Sequence, residues 1–224
     1  MNRYNYKTLN FNLGRECLGY IVKTFGIREM RIPYYLCDVI RHTLFEKGCK
    51  PVFYHINDDF LPTEEFAKED VILYPNYFGI CGKNVKYLSE KYPNLIVDNA
   101  HAYYDKPSGF ACFNAGHKFG KEKSTLWIKG KNSEKNNTEP DFPYKNSFIE
   151  LHKKYGSANL LKIDIESITA PFVYPLLAKT MDEADKIVKS LKKEGKTIYR
   201  YWSPIPKNFN EYKFYSRLVP IPLS

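Results

Sequence analysis

Three residues of this chain could carry chemistry together: Asp98, His101 and Lys118. Asp98 ends the apolar run Leu95-Ile96-Val97, which reads as a short buried strand. The carboxyl end of such a strand is where open α/β sheets bind ligands. A carboxylate there can hold a pyridinium nitrogen positive, the charge that makes pyridoxal 5'-phosphate (PLP) an electron sink. Lys118 is a candidate Schiff-base amine for the same cofactor. Singly, the acid could equally be a helix cap and the lysine a surface charge. In this order the three point to PLP chemistry.

The elements that must position them alternate between two periods. Leu18, Ile21, Val22 and Phe25 lie on one helical face, with Gly26 as the stop. Leu36, Val39, Ile40 and Leu44 repeat that spacing before Gly48. Met30-Arg31-Ile32, Pro51 to Ile56 and Val71 to Tyr74 read as strands, and Val85, Leu88 and Tyr92 mark a short helix. Alternating strands and helices predict βαβ units and a mostly parallel sheet. Residues 129–146 are polar and turn-rich, the composition of a surface loop or linker. Beyond it, Phe172 to Tyr174 and Thr197 to Trp202 read as strands. The helix between them is capped by Thr180, with acids in its first turn and lysines in its last. The expected fold is α/β: a three-layer α/β/α large domain over residues 10–150 and a small, reduced α/β domain over 151–224.

The bulk composition fits. The chain has 224 residues, 43% hydrophobic and 26% charged, the balance of a globular protein with one or two domains. Its net charge of +9 suits an anionic small molecule as well as nucleic acid. The lysines are spread and no nucleic-acid motif is present, so specific nucleic-acid binding is not expected. Five cysteines without a Cys-x-x-Cys pair argue against zinc and for a reduced, cytoplasmic setting. No signal peptide or membrane span is expected. Asn136-Asn137-Thr138 matches a glycosylation pattern, read as chance without secretion.

Several segments together resemble the DegT/DnrJ family of PLP-dependent sugar aminotransferases, of the aspartate aminotransferase fold, in a shortened form. Asn12-Leu13-Gly14-Arg15-Glu16-Cys17-Leu18 is similar to the family's phosphate-holding element at the start of the first helix, and a helix N-terminus with a close-approach glycine is an anion site on general grounds. Ile32-Pro33-Tyr34-Tyr35-Leu36-Cys37 resembles the element whose aromatic residue stacks on the pyridine ring. That implies Tyr35, then Tyr34, in this role, with Cys37 near the usual stacking position. Tyr74-Pro75-Asn76-Tyr77-Phe78-Gly79 looks like a His-x-Tyr-Gly turn with Asn76 for the histidine, and implies that Asn76, Tyr77 and Phe78 line the cofactor pocket. Asp98-Asn99-Ala100-His101-Ala102 resembles the most specific motif, which implies Asp98 at the ring nitrogen and His101 by the phenolic oxygen. Gly109 to Phe119 is similar to the strand and loop that present the Schiff-base lysine, here Lys118, with Asn114 beside the cofactor.

The chain departs from the pattern after Lys118, where Lys121 to Thr125 stands for a glycine-bearing turn, and the C-terminal unit is reduced. The resemblance implies transfer of an amino group from a donor such as glutamate to a keto sugar, often nucleotide-linked. Amino-sugar or surface polysaccharide synthesis would be the setting and a homodimer the assembly. Arg200 and Tyr201 are candidate substrate contacts. Three other readings stand beside it: a catalytically degenerate relative that binds a sugar nucleotide or a partner, a sugar dehydratase with His117 as base, and a basic nucleic-acid-binding protein.

Overall fold

The computed structural model describes residues 5–130, 143–168, 171–202 and 204–223. Most of the expected linker and the Asn136 glycosylation pattern lie outside the described residues.

The large unit is built on a seven-stranded mixed sheet. Its strands are β1 (Asn5–Phe11), β2 (Glu29–Pro33), β3 (Lys50–Tyr54), β4 (Ile72–Pro75), β5 (Leu95–Asn99), β6 (Ala111–Asn114) and β7 (Ser124–Gly130), in the order β1-β7-β6-β5-β4-β2-β3. β2 to β6 run parallel, while β7 is antiparallel to both β6 and β1. Helices α1 (Gly14–Thr24), α2 (Asp38–Glu46) and α3 (Gly82–Lys91) complete the layers.

Alternation along the strands sends side chains into two cores. Leu73, Ile96, Ala111 and Phe113 face α1 and α2. Leu95, Val97, Tyr74 and Cys112 face the other way, into a core rich in tyrosine and phenylalanine. By the two-residue repeat, Asp98 falls on the α1 face with Ile96, and Asn114 falls on the opposite face.

The small unit pairs β8 (Val173–Leu177) with β9 (Leu218–Pro222) antiparallel. It is covered by α4 (Lys145–Tyr155) and α5 (Met181–Lys193), and α6 (Tyr212–Arg217) leads into β9. Thr180 caps α5, its side chain accepting from the Glu183 N–H at 3.1 Å. The expected boundary at residue 150 falls within α4, whose Phe148 packs on Tyr174. Thr197 to Trp202 is not a strand. Its aromatic rings are drawn into packing, Tyr201 and Trp202 against the aromatic core of the large unit, and β9 takes the place beside β8. Tertiary contact here overrides strand propensity.

The units are joined by a polar tie as well as by that core. Glu211 is fully buried; its carboxylate accepts from the Ile56 N–H at 2.7 Å and faces His55 Nδ1 at 3.1 Å. No helix among the described residues is long and apolar enough to cross a membrane.

Candidate active site

A cavity of about 180 Å³ opens at the carboxyl ends of the parallel strands. Gly14 and Arg15 line it from α1, and Leu36, Cys37, Val39 and Ile40 from the start of α2. Asn76, Asp98, His101, His117, Lys118 and Trp202 complete the chemically relevant walls.

Gly14 sits where a side chain would crowd the backbone of β6. A Cβ there would lie 3.0 Å from the Asn114 carbonyl oxygen and 3.6 Å from Ala115. The bare backbone lets the N-terminus of α1 dock on the end of β6. The first-turn N–H groups of a helix have no intrahelical partner, and here they sit beside the cavity, a ready anion site.

Asp98 is buried, and its Oδ1 accepts from the Ala100 N–H at 2.8 Å. Burial pushes its carboxyl up, against the pull of that hydrogen bond and of Lys118. Lys118 is lowered by burial and partly restored by the Asp98 charge and by Cys37. The two attract through space rather than through a direct hydrogen bond. Burial thus dominates both, and each sits closer to neutrality than it would in water.

His101 is packed in rings. Phe172, Trp202 and Phe78 stack on it at 5.1, 5.5 and 5.7 Å, and Tyr201 tilts against it at 5.3 Å. Burial, then the Lys118 charge, hold its imidazole well below 6.5, so the ring is neutral. Its buried Nε2 has no partner within the protein. A buried polar atom left open at a cavity wall fits a ligand oxygen or nitrogen.

Lys118 lies in the tight turn Gly116–Phe119 after β6. The stretch from Lys121 to Thr125 lacks glycine, yet the loop is formed by glycines on either side of the lysine. Gly120 takes φ +65°, and a Cβ at Gly116 would lie 2.0 Å from the Lys123 carbonyl oxygen. The Gly116 N–H donates to Ser124 Oγ at 3.1 Å. His117, beside it, is exposed and lines the same cavity; its imidazole is lowered by partial burial and by Lys118 and Arg15.

Gly14, Arg15, Asn76, Asp98, His101 and Lys118 are therefore brought together as expected. Others are not. Tyr35 is buried in the aromatic core, its hydroxyl donating to the Tyr201 carbonyl at 3.1 Å. Tyr34 stacks on Phe53. Leu36 and Cys37 take the cavity wall instead, because the chain turns after Pro33 and the strand alternation no longer applies. Tyr77 and Phe78 are core residues behind the wall. Glu16 is exposed, and its Oε2 accepts from the Asn12 N–H at 3.0 Å, closing the helix start from outside. Asn114 faces away by strand parity: its Oδ1 accepts from the Thr125 N–H at 2.7 Å. Arg200 pairs with Asp185 at 2.6 Å within the small unit. Asn76 lines the cavity, and its Nδ2 donates to Asn99 Oδ1 at 3.2 Å and to Asp105 Oδ2 at 2.9 Å. Trp202 was not expected in the wall; its run of aromatic residues reads as strand, and only the fold turns it toward His101.

No known family model and no curated protein matches the chain. Solved structures do. Spr1654 of Streptococcus pneumoniae, assigned as a sugar aminotransferase and solved in its PLP form, superposes with a TM-score of 0.72 at 14% identity, over 98% of this chain and 82% of that one. A DegT DnrJ EryC1 StrS aminotransferase from Brucella abortus gives 0.72 at 11% identity, over 97% and 81%. PseC of Helicobacter pylori, an aminotransferase involved in the biosynthesis of pseudoaminic acid, gives 0.64 at 14% identity, over 96% and 81%. At such identities the likeness establishes the architecture, so the chain has the fold of these aminotransferases over nearly its whole length.

Proposed function

We propose that the chain is a PLP-dependent aminotransferase of the DegT/DnrJ type, moving an amino group from an amino acid such as glutamate to a keto sugar. One observation carries the reading: a lysine amine and a strand-end carboxylate, both desolvated, attract each other across a cavity that also receives a helix N-terminus.

The residues present fit the cofactor. The backbone at Gly14 and Arg15 would hold its phosphate, Asp98 its ring nitrogen, and the open Nε2 of His101 its phenolic oxygen. PLP, when bound, supplies an electron sink and a carbonyl to which amines attach. Asp98 would favour the protonated ring nitrogen of the bound group by ion pairing. Lys118 would contribute the amine that tethers the group and would carry a proton on Nζ as base and acid. Its lowered basicity gives more neutral amine near pH 7 than an ordinary lysine has. Neutral His101 orients without adding charge beside Lys118. Nucleotide-linked acceptors, amino-sugar or polysaccharide synthesis, a homodimer and a cytoplasmic setting extend the same reading.

The test is direct. Adding PLP to the purified chain should produce a visible absorption band, lost in Lys118→Ala while circular dichroism stays that of a folded protein. A folded wild type that gives no band would return the chain to a degenerate, non-transferring role.

A further inference from the structure

Phe172 joins the two units at the reacting centre. It precedes β8, and its backbone N–H donates to the Phe78 carbonyl at 3.0 Å, which ties the start of the small unit to the turn after β4. Its ring stacks on His101 at 5.1 Å, with 20° between the planes, and Phe119 tilts against it at 5.2 Å. The Nζ of Lys118 lies over the same ring, 5.9 Å from its centre. One side chain of the small unit therefore meets both the neutral imidazole and the lysine amine, and a hydrogen bond and two ring neighbours hold it in place.

The lysine carries its charge where burial opposes it. Asp98 attracts it through space from the end of β5, and Cys37 lies near it at the start of α2. His101 and His117 feel its charge. Arg15 lines the same cavity from α1, and Tyr104, Tyr199 and Tyr201 line the space on the lysine's other side. To this set Phe172 adds a π face. The face of an aromatic ring is negative and attracts a cation, more strongly where water is excluded. A leucine in the same place would exclude water and attract nothing.

We infer that Phe172 is a positioning residue for Lys118: its ring holds the Nζ ammonium in place and offsets part of the cost of burying it. From the aminotransferase reading the inference takes only the role of Lys118 as the reacting amine. The lysine and the strand-end carboxylate both belong to the large unit, and the small unit acts on them through this one ring.

Competitive amine labelling of the full chain without PLP, followed by mass spectrometry of the Lys118 peptide across pH, reads the titration of that amine alone. Phe172→Leu should lower its midpoint, with about a threefold fall in the ratio of ammonium to amine at fixed pH, the size of a cation–π contact near the limit of its range. Phe172→Tyr keeps the ring and should restore the wild-type midpoint. The sign separates this from a merely structural role, because a void that lets water in would raise the midpoint. Fluorinated phenylalanines at position 172 keep the shape and drain the π face, so the midpoint should fall stepwise with fluorine count even where Phe172→Leu folds poorly. A midpoint that stays or rises in Phe172→Leu or along the fluorinated series, or a tyrosine variant that behaves like the leucine one, would overturn the inference. The PLP band is recorded separately. A band with an unmoved midpoint sinks the ring contact and leaves the transferase reading; a lowered midpoint with no band does the reverse.

Discussion

His101 offers a quantitative test of how the site handles charge. The ring is 4% exposed and enclosed by Phe78, Phe172, Tyr201 and Trp202. In the unfolded chain it takes up a proton near its ordinary value of 6.5, whereas in the fold it resists protonation until well below that. Below pH 6.5 the unfolded state therefore binds more protons, and stability falls as pH falls. One such group contributes a slope of about 1.4 kcal/mol per pH unit, so roughly 2 kcal/mol is lost between about pH 8 and pH 5. His101→Phe keeps a ring in the stack and removes the proton site. Urea unfolding of both proteins across that range should show the wild type losing roughly 2 kcal/mol more than the variant. Asp98 works in the opposite sense, because its raised carboxyl holds a proton better in the fold, but it is present in both proteins and cancels. A constant offset between the two curves would report packing only. Curves that stay parallel down to pH 5 would refute the picture of a buried neutral imidazole.

Two further tests probe the lysine loop and the cavity wall. Gly116→Ala forces a methyl onto the Lys123 carbonyl and should cost about 1–3 kcal/mol in urea unfolding, together with loss of the PLP band; an unchanged midpoint and band would show that the turn has slack. Of the five cysteines only Cys37 is not buried, so under native conditions a thiol reagent followed by mass spectrometry should label Cys37 first, and PLP should slow it. Equal labelling of Cys17 or Cys112 would contradict this burial.

The chemistry-bearing residues were legible where their arrangement is local. Asp98 and His101 share one strand end and its turn, and Lys118 follows from the next strand, so short motifs contain the geometry. Gly14 was legible because close approach demands it. What failed needed non-local information. Tyr34 and Tyr35 lie past a proline, where the two-residue alternation stops predicting which way a ring points. Asn114 is in a strand too short to read, Ala111-Cys112-Phe113-Asn114, so its parity was hidden. β1 and β7 are neighbours in the sheet but more than a hundred residues apart in the chain, so their pairing needs non-local information even though β7 carries the apolar run Leu126-Trp127-Ile128. Thr197 to Trp202 has the composition of a strand, but its rings are worth more in the aromatic core than in a sheet.

The buried Glu211 carboxylate has a consequence for how the two units hold together. Swinging the small unit open would strip that carboxylate of the Ile56 N–H and His55 while uncovering a continuous layer of aromatic surface. Leaving a buried hydrogen-bonding group of this kind without its partner costs about 1–3 kcal/mol before any apolar surface is counted. Separation of the two units therefore carries a polar penalty on top of the apolar one, and the Glu211 tie holds β9 and its neighbours against the large sheet.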